Sequence, residues 1–181
     1  YNDAIERVVD FGIDCIEHGG PMTEKTIEKI AKKNIPICTT FSPVVMQSKP
    51  EIARKYLIPE WKIEERQKLV KDKARFESLI KASKAGIDIV FGTDAGSPVV
   101  PHDAIVPEMK FMVDIGLVKN NIQAIQSATI KAAKLNKVED KIGSLEVGKE
   151  ADFIIVNGKP DQNLDDLEKV EQVFINGKKM I

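Results

Sequence analysis

Two residues in this chain stand where strands hand over to loops. His18 follows the apolar run 13–16 in Glu17-His18-Gly19-Gly20, and Asp94 follows the run 87–91 in Gly92-Thr93-Asp94-Ala95-Gly96. A histidine and an aspartate at the carboxyl ends of buried strands suit a metal ion, because an imidazole nitrogen and a carboxylate oxygen are both ordinary ligands of a zinc-class cation. Two ligands do not close a four-coordinate sphere, and the chain holds only one other histidine, His102. Taken singly, each residue has a plainer reading: His18 as a loop histidine bonded to Glu17 or a carbonyl, and Asp94 as a helix cap.

The elements that must position these side chains form a repeat. An amphipathic helix over 3–11 ends at Gly12 and feeds the first strand run. Thr23 caps a second helix, with Ile27, Ile30 and Ala31 at helical spacing, which stops at Asn34 before the run 35–39. A longer helix, predicted over 63–85, stops at Gly86 and feeds 87–91. Strands alternating with helices predict an α/β fold with a parallel sheet, in which chemistry gathers on the loops after the strands. His18, Thr39-Thr40 and Asp94 all fall there and are expected to converge on one face. Glu17, one residue earlier, is expected to face the helix layer. The connection 41–61, with Pro43, Pro50 and Pro59, has the length of an active-site loop or lid, and Tyr56 and Trp61 are its candidate contact or anchor residues. No Gly-rich phosphate loop follows any strand, which disfavours a flavodoxin-like doubly wound domain.

Beyond Asp94 the pattern predicts one helix opening at Val106-Pro107-Glu108 and ending at Gly116, and a second capped by Asn121 and running to about Lys134. From residue 142 the texture changes to short strand patterns at 143–148, 151–156 and 173–175, joined by tight Asn157-Gly158 and Asn176-Gly177 turns, with 161–168 a solvated loop or short helix.

Composition narrows the function classes. With 181 residues, 43% of them hydrophobic, the chain holds one core or a core plus a small appendage. Its 27 basic and 28 acidic side chains give a net charge of −1 and no electrostatic reason to bind nucleic acid or an anionic membrane. Cys15 and Cys38 lie in strand runs without a Cys-x-x-Cys pattern, which reads as buried thiols in a reducing, cytoplasmic compartment. No apolar stretch approaches the roughly 18 to 20 residues of a membrane span, and no signal peptide is visible. The opening Tyr1-Asn2-Asp3-Ala4 enters a helical pattern directly, and we expect the chain to be a fragment of a longer protein.

Ile16-Glu17-His18-Gly19, the Phe91 to Gly96 motif and the block Ile142-Gly-Ser-Leu-Glu-Val-Gly-Lys-Glu-Ala-Asp-Phe153, in that order, resemble the second half of the metal-dependent amidohydrolase family, and within it the imidazolonepropionase-like and Xaa-Pro dipeptidase-like branch. The resemblance implies the C-terminal part of a (β/α)8 barrel, strands six to eight, over 1–141, followed over 142–181 by strands of a small β-sandwich. It makes His18 the strand-six histidine, a metal ligand or substrate contact, and Asp94 the strand-eight aspartate, a metal ligand that also handles protons. His102 then matches a substrate-binding histidine. The family's His-x-His pair, strand-four ligand and strand-five histidine have no counterpart in this sequence.

The implied chemistry is hydrolysis of carbon–nitrogen bonds, in amides or cyclic amides. One or two divalent ions, zinc first, lower the pKa of bound water to about 7 and polarise the carbonyl. Asp94 then takes the proton from water and passes it to the leaving amine, while His18 completes the coordination or stabilises the oxyanion. The expected partners are a small amide-type substrate and either the missing N-terminal half of the barrel or a second copy, since a partial barrel leaves strand edges open. Alone, the chain is expected to be inactive. The competing reading is a non-catalytic half-barrel that binds or scaffolds. Cyclic amides, acyl-dipeptides and deaminated bases all remain open as substrates.

Overall fold

The computed structural model describes residues 1–181. Three parallel strands, β1 (Ile16–Glu17), β2 (Ile37–Thr39) and β3 (Ile89–Phe91), form a sheet in the order β1-β2-β3. Helix α1 (Asn2–Phe11) precedes β1, and α2 (Glu24–Lys32) carries the chain from β1 to β2. All three strands are shorter than their apolar runs. Before β2 and β3, the first apolar residue closes the preceding helix instead of pairing: Ile35 N–H donates to the Ile30 carbonyl at 3.3 Å, and Ile87 N–H to Ala82 at 3.2 Å. Asn34 and Gly86, at φ 52° and 89°, are the left-handed residues of these two Schellman-type ends. Pro36, with no N–H to donate, delays the ladder further.

Between β2 and β3 the chain is more helical than a lid loop. It forms α3 (Ser42–Gln47), α4 (Pro50–Ala53), a 3-10 turn at Arg54–Tyr56, α5 (Glu60–Lys71) and α6 (Ala74–Lys84). Pro43 and Pro50 lie in the first turns of α3 and α4, where a missing N–H costs nothing. The single helix expected over 63–85 is two helices. Asp72 takes extended geometry and its Oδ1 accepts from Ala74 N–H at 3.1 Å, a local bond that competes with helix continuation. Tyr56 and Trp61 are exposed and pack into neither the core nor the candidate site.

Helix α7 (Ile105–Asp114) matches expectation within a residue or so at each end. The next predicted helix is α8 (Asn121–Ala128) and α9 (Ile130–Leu135), with Asn120 as the cap and a break at Thr129, whose backbone leaves the helical region and whose hydroxyl bonds back to Ile125. The end of the chain forms an antiparallel sheet of β4 (Phe153–Val156), β5 (Val170–Ile175) and β6 (Lys178–Lys179). Asn176-Gly177 is a hairpin turn with both φ angles positive. Residues 143–148 form turns rather than a strand. Asn157-Gly158 opens a loop rather than a hairpin, because the Asp166 carboxylate draws it in by accepting from Lys159 N–H at 2.8 Å.

One face of the parallel sheet carries the core. Ile16, Ile37 and Ile89 are paired across the three strands and bury against Ile5, Val9, Ile30, Leu79 and Met112 from the helices. Phe41, Phe76 and Phe111 add an aromatic triad with ring centroids 5.2–5.6 Å apart. The period of two then turns Glu17, Cys38 and Val90 to the opposite face. Glu17 therefore points away from the helix layer, contrary to the sequence expectation, and the two thiols are half-buried rather than buried. Leu164 reaches into the main core and Lys110 pairs with Asp165 at 2.9 Å, which ties the terminal segment to α7. No helix is long and apolar enough to cross a membrane.

Candidate functional site

His18 ends β1 in a tight reversal. Its N–H continues the ladder to the Cys38 carbonyl at 2.8 Å. Gly19 N–H then turns back to Glu17 at 2.7 Å, a γ-turn that holds His18 at φ 66°. Asp94 sits three residues past β3 at φ 57°, in a turn closed by Ser97 N–H on its carbonyl at 3.1 Å. Farther along the same loop, the buried and β-branched Val99 is held at φ 72°. Left-handed geometry at three non-glycine residues stores strain of order 1–3 kcal/mol each, tolerated where surrounding packing over-determines the chain and concentrated at working sites.

The two side chains line one cavity of about 430 Å³. The His18 ring is oriented by Thr40, whose Oγ1 lies 2.6 Å from Nδ1 and leaves Nε2 as the ring's open nitrogen. The Asp94 carboxylate has neither hydrogen-bond nor ion-pair partner. The approach of β3 to β2 here depends on Gly92: a Cβ at that position would stand 2.8 Å from Cys38 Sγ and 3.0 Å from Thr40 Cγ2. His102 does not join this group. It lies exposed in the turn 101–104, outside the cavity.

Two charges that sequence reasoning missed, the half-buried Arg75 and the buried Glu108, hold the floor of the site. Arg75, on α6, donates from Nη2 to the His18 carbonyl at 2.8 Å and the Thr40 carbonyl at 3.3 Å, clamping the β1 and β2 loops together. Its guanidinium lies 5.4 Å from the centroid of the Phe41 ring, and burial draws its pKa down, partly offset by the Glu108 carboxylate. Glu108, 1% exposed on α7, accepts from Phe41 N–H and Ser42 N–H, both at 2.7 Å, and from the Ser42 hydroxyl. Burial pushes its pKa up, against the pull of those three donors and of Arg75. The signal for Glu108 was available: it stands four residues before Met112 on the stripe that also buries Val106 and Met109. Nothing local marks Arg75, whose partners are 35 and 57 residues away.

No group of three or more His, Cys, Asp or Glu side chains converges to hold a metal. His18 Nε2 and the uncommitted Asp94 carboxylate fit two positions of a coordination sphere, and this chain supplies no third.

The sequence profile of the amidohydrolase family matches residues 2–180. An uncharacterized protein of Mycobacterium tuberculosis is 30% identical over 118 residues, which is 64% of this chain and 30% of that protein. Among solved structures, an Xaa-Pro dipeptidase with methionine bound in its active site is 31% identical with a TM-score of 0.76, over 98% of this chain and 42% of that one. An amidohydrolase is 25% identical with a TM-score of 0.80, over 100% of this chain and 43% of that one. The chain thus spans less than half the length of the relatives it matches.

Proposed function

The chain belongs to the amidohydrolase family, and from that premise we propose that it supplies the His18 and Asp94 part of a site that hydrolyses carbon–nitrogen bonds of amide type. The observation that carries the reading is their convergence: both follow parallel strands, both are held in the left-handed region, and both line one cavity. Asp94, with no protein partner, is free to accept a proton from the attacking water and return it to the leaving amine. His18 Nε2, with its ring fixed through Thr40, serves as a ligand or as a donor to the oxyanion. A divalent ion bound by these two residues, zinc first, supplies a water of lowered pKa and a polarised carbonyl.

The α/β layer matches amidohydrolases along nearly its whole length. We assign 1–141 to barrel strands six to eight and 142–181 to late strands of a sandwich. The donors that complete the sphere then lie outside this sequence, and the chain alone is inactive. The outer edges of β1 and β3 are unpaired, so pairing with the remaining strands, or with a second copy, belongs to the same reading. The free thiols Cys15 and Cys38 support a reducing, cytoplasmic setting.

The test is metal content together with turnover, in the full-length protein that carries this chain, purified without chelator. The proposal expects stoichiometric transition metal that falls in His18→Asn and Asp94→Asn, and hydrolysis of members of a panel of dipeptides, acyl-amino acids and cyclic amides. A metal-free protein that hydrolyses none of them is the non-catalytic half-barrel instead.

A further inference from the structure

We infer that Gln47 is a positioning residue for Asp94, and that helix α3 is the strut that sets the His18 and Asp94 side chains against each other. The inference deepens the hydrolytic reading of these two residues and rests on it, naming what holds the aspartate's loop in place.

The loop after β3 has little of its own to hold it. Asp94, Ala95, Gly96 and Pro98 are exposed, and the turn bonds within 94–100 are local: Ser97 N–H to the Asp94 carbonyl, Val100 N–H to Ser97 and Gly96 N–H to Val100, at 2.9–3.2 Å. One hydrogen bond reaches this stretch from another element. Gln47, the last residue of α3 and 6% exposed, donates from Nε2 to the Pro98 carbonyl at 3.2 Å. The neighbouring Val99, buried at φ 72°, packs with Val100 and Ala104 against Met46, Ile52 and Ile58 of the helical insert. A β-branched residue keeps that backbone only where its surroundings impose it, so the loop's geometry depends on the insert.

The amide is oriented from behind. Arg66 Nε, on α5, donates to Gln47 Oε1 at 3.0 Å. A guanidinium only donates and a carbonyl only accepts, so Oε1 must face Arg66 and Nε2 must face Pro98. The helix that carries Gln47 is itself fixed at both ends. Glu108 accepts from Phe41 and Ser42 N–H at its start, and Gln67 Nε2 donates to the Ser48 carbonyl at 3.2 Å just past its end. That start lies two residues after Thr40, whose hydroxyl meets the His18 ring. Helix α3 thus runs from the residue that orients His18 to the residue that anchors the Asp94 loop, and acts as the spacer between them. An error of about 1 Å in such a spacing costs about 10²-fold in rate.

The experiment uses the full-length protein that carries this chain, with Gln47→Glu and Gln47→Met made alone and in an Asp94→Asn background. Glutamate keeps the size and the bond to Arg66 but sets an acceptor against the Pro98 carbonyl, and methionine removes both bonds at similar length. Each is expected to lower kcat for amide hydrolysis about 10- to 100-fold, with KM changed less than about threefold. In Asp94→Asn protein the same substitutions are expected to change the residual kcat less than about twofold, because a residue that acts through the Asp94 carboxylate then has nothing left to position. Hydrogen exchange, read by mass spectrometry, is expected to quicken about tenfold or more at the bonded N–H groups of 94–100 in both variants, and to hold over β3 and α7. Unchanged kcat, an equal loss with and without the Asp94 carboxylate, a loss carried by KM alone, or unchanged exchange over 94–100 overturns the inference. Undiminished turnover by Asp94→Asn overturns the hydrolytic reading instead, and the exchange measurement then decides whether Gln47 holds the loop.

Discussion

Removing the Glu108 side chain should cost more than any surface substitution in this protein. The carboxylate is buried and receives two backbone N–H groups and a hydroxyl from the start of α3. Glu108→Ala strands the Phe41 and Ser42 N–H groups inside the core, where each unpaired donor costs about 1–3 kcal/mol. With the cavity left behind and partial relaxation, the sum is about 3–5 kcal/mol. In a chain of this size about 3 kcal/mol corresponds to a fall in Tm of about 10 °C. Glu108→Gln keeps the volume but turns an amide NH2 toward a backbone donor, and should cost about 1–3 kcal/mol. The pH dependence has a definite sign. Burial raises the folded pKa of Glu108 above its ordinary value of 4.5, so its contribution is complete below about 4.5 and declines as pH rises through the folded value. The stability gap between wild type and Glu108→Gln should therefore narrow from pH 4.5 toward neutrality. Urea denaturation at several pH values measures both quantities. A loss under about 1 kcal/mol for Glu108→Ala would refute the bracing role, and a gap that widens with pH would refute the upward shift of its pKa.

Three further outcomes follow from the same geometry. The Thr39 hydroxyl is buried with no partner, so Thr39→Val should raise stability by about 1 kcal/mol in a urea titration. Gly92→Ala forces a Cβ against Cys38 and Thr40 and should cost about 1–3 kcal/mol in a urea titration. Burial, with the Glu17 carboxylate adding to it, pushes both Cys15 and Cys38 up to about 12. At pH 8 only about 10⁻⁴ of each thiol is then ionised, so iodoacetamide should label the native protein far more slowly than the urea-unfolded one.

His18 and Asp94 were legible in the sequence because their signal is local: an apolar run, a polar residue, then glycine. The parallel sheet followed from helix stops at Asn34 and Gly86 for the same reason. Strand length was not legible, since whether Ile35 and Ile87 pair or cap depends on where their N–H groups point, and both orientations suit an isoleucine. The helix breaks at Asp72 and Thr129 turn on single side-chain bonds that a periodic pattern does not record. The same holds at the site. The His18 ring is set by Thr40, 22 residues away, and the loop carrying Thr40 by Glu108, 66 and 67 residues from its partners. Glu17 shows the converse: a plain alternation count from Ile16 places it opposite the helix layer.

If His18 and Asp94 work on one bond in one cavity, removal of the Asp94 carboxylate must stop the chemistry without unfolding the protein. The direct measurement is kcat for amide hydrolysis by the full-length protein that carries this chain, as wild type and as Asp94→Asn, with Tm recorded for each. Asp94 is exposed and makes no side-chain bond, and asparagine accepts its left-handed backbone, so Tm should hold. A fall in kcat of about 10²–10⁴-fold at unchanged Tm is expected. Hydrolysis at the wild-type rate by a folded Asp94→Asn protein would contradict it.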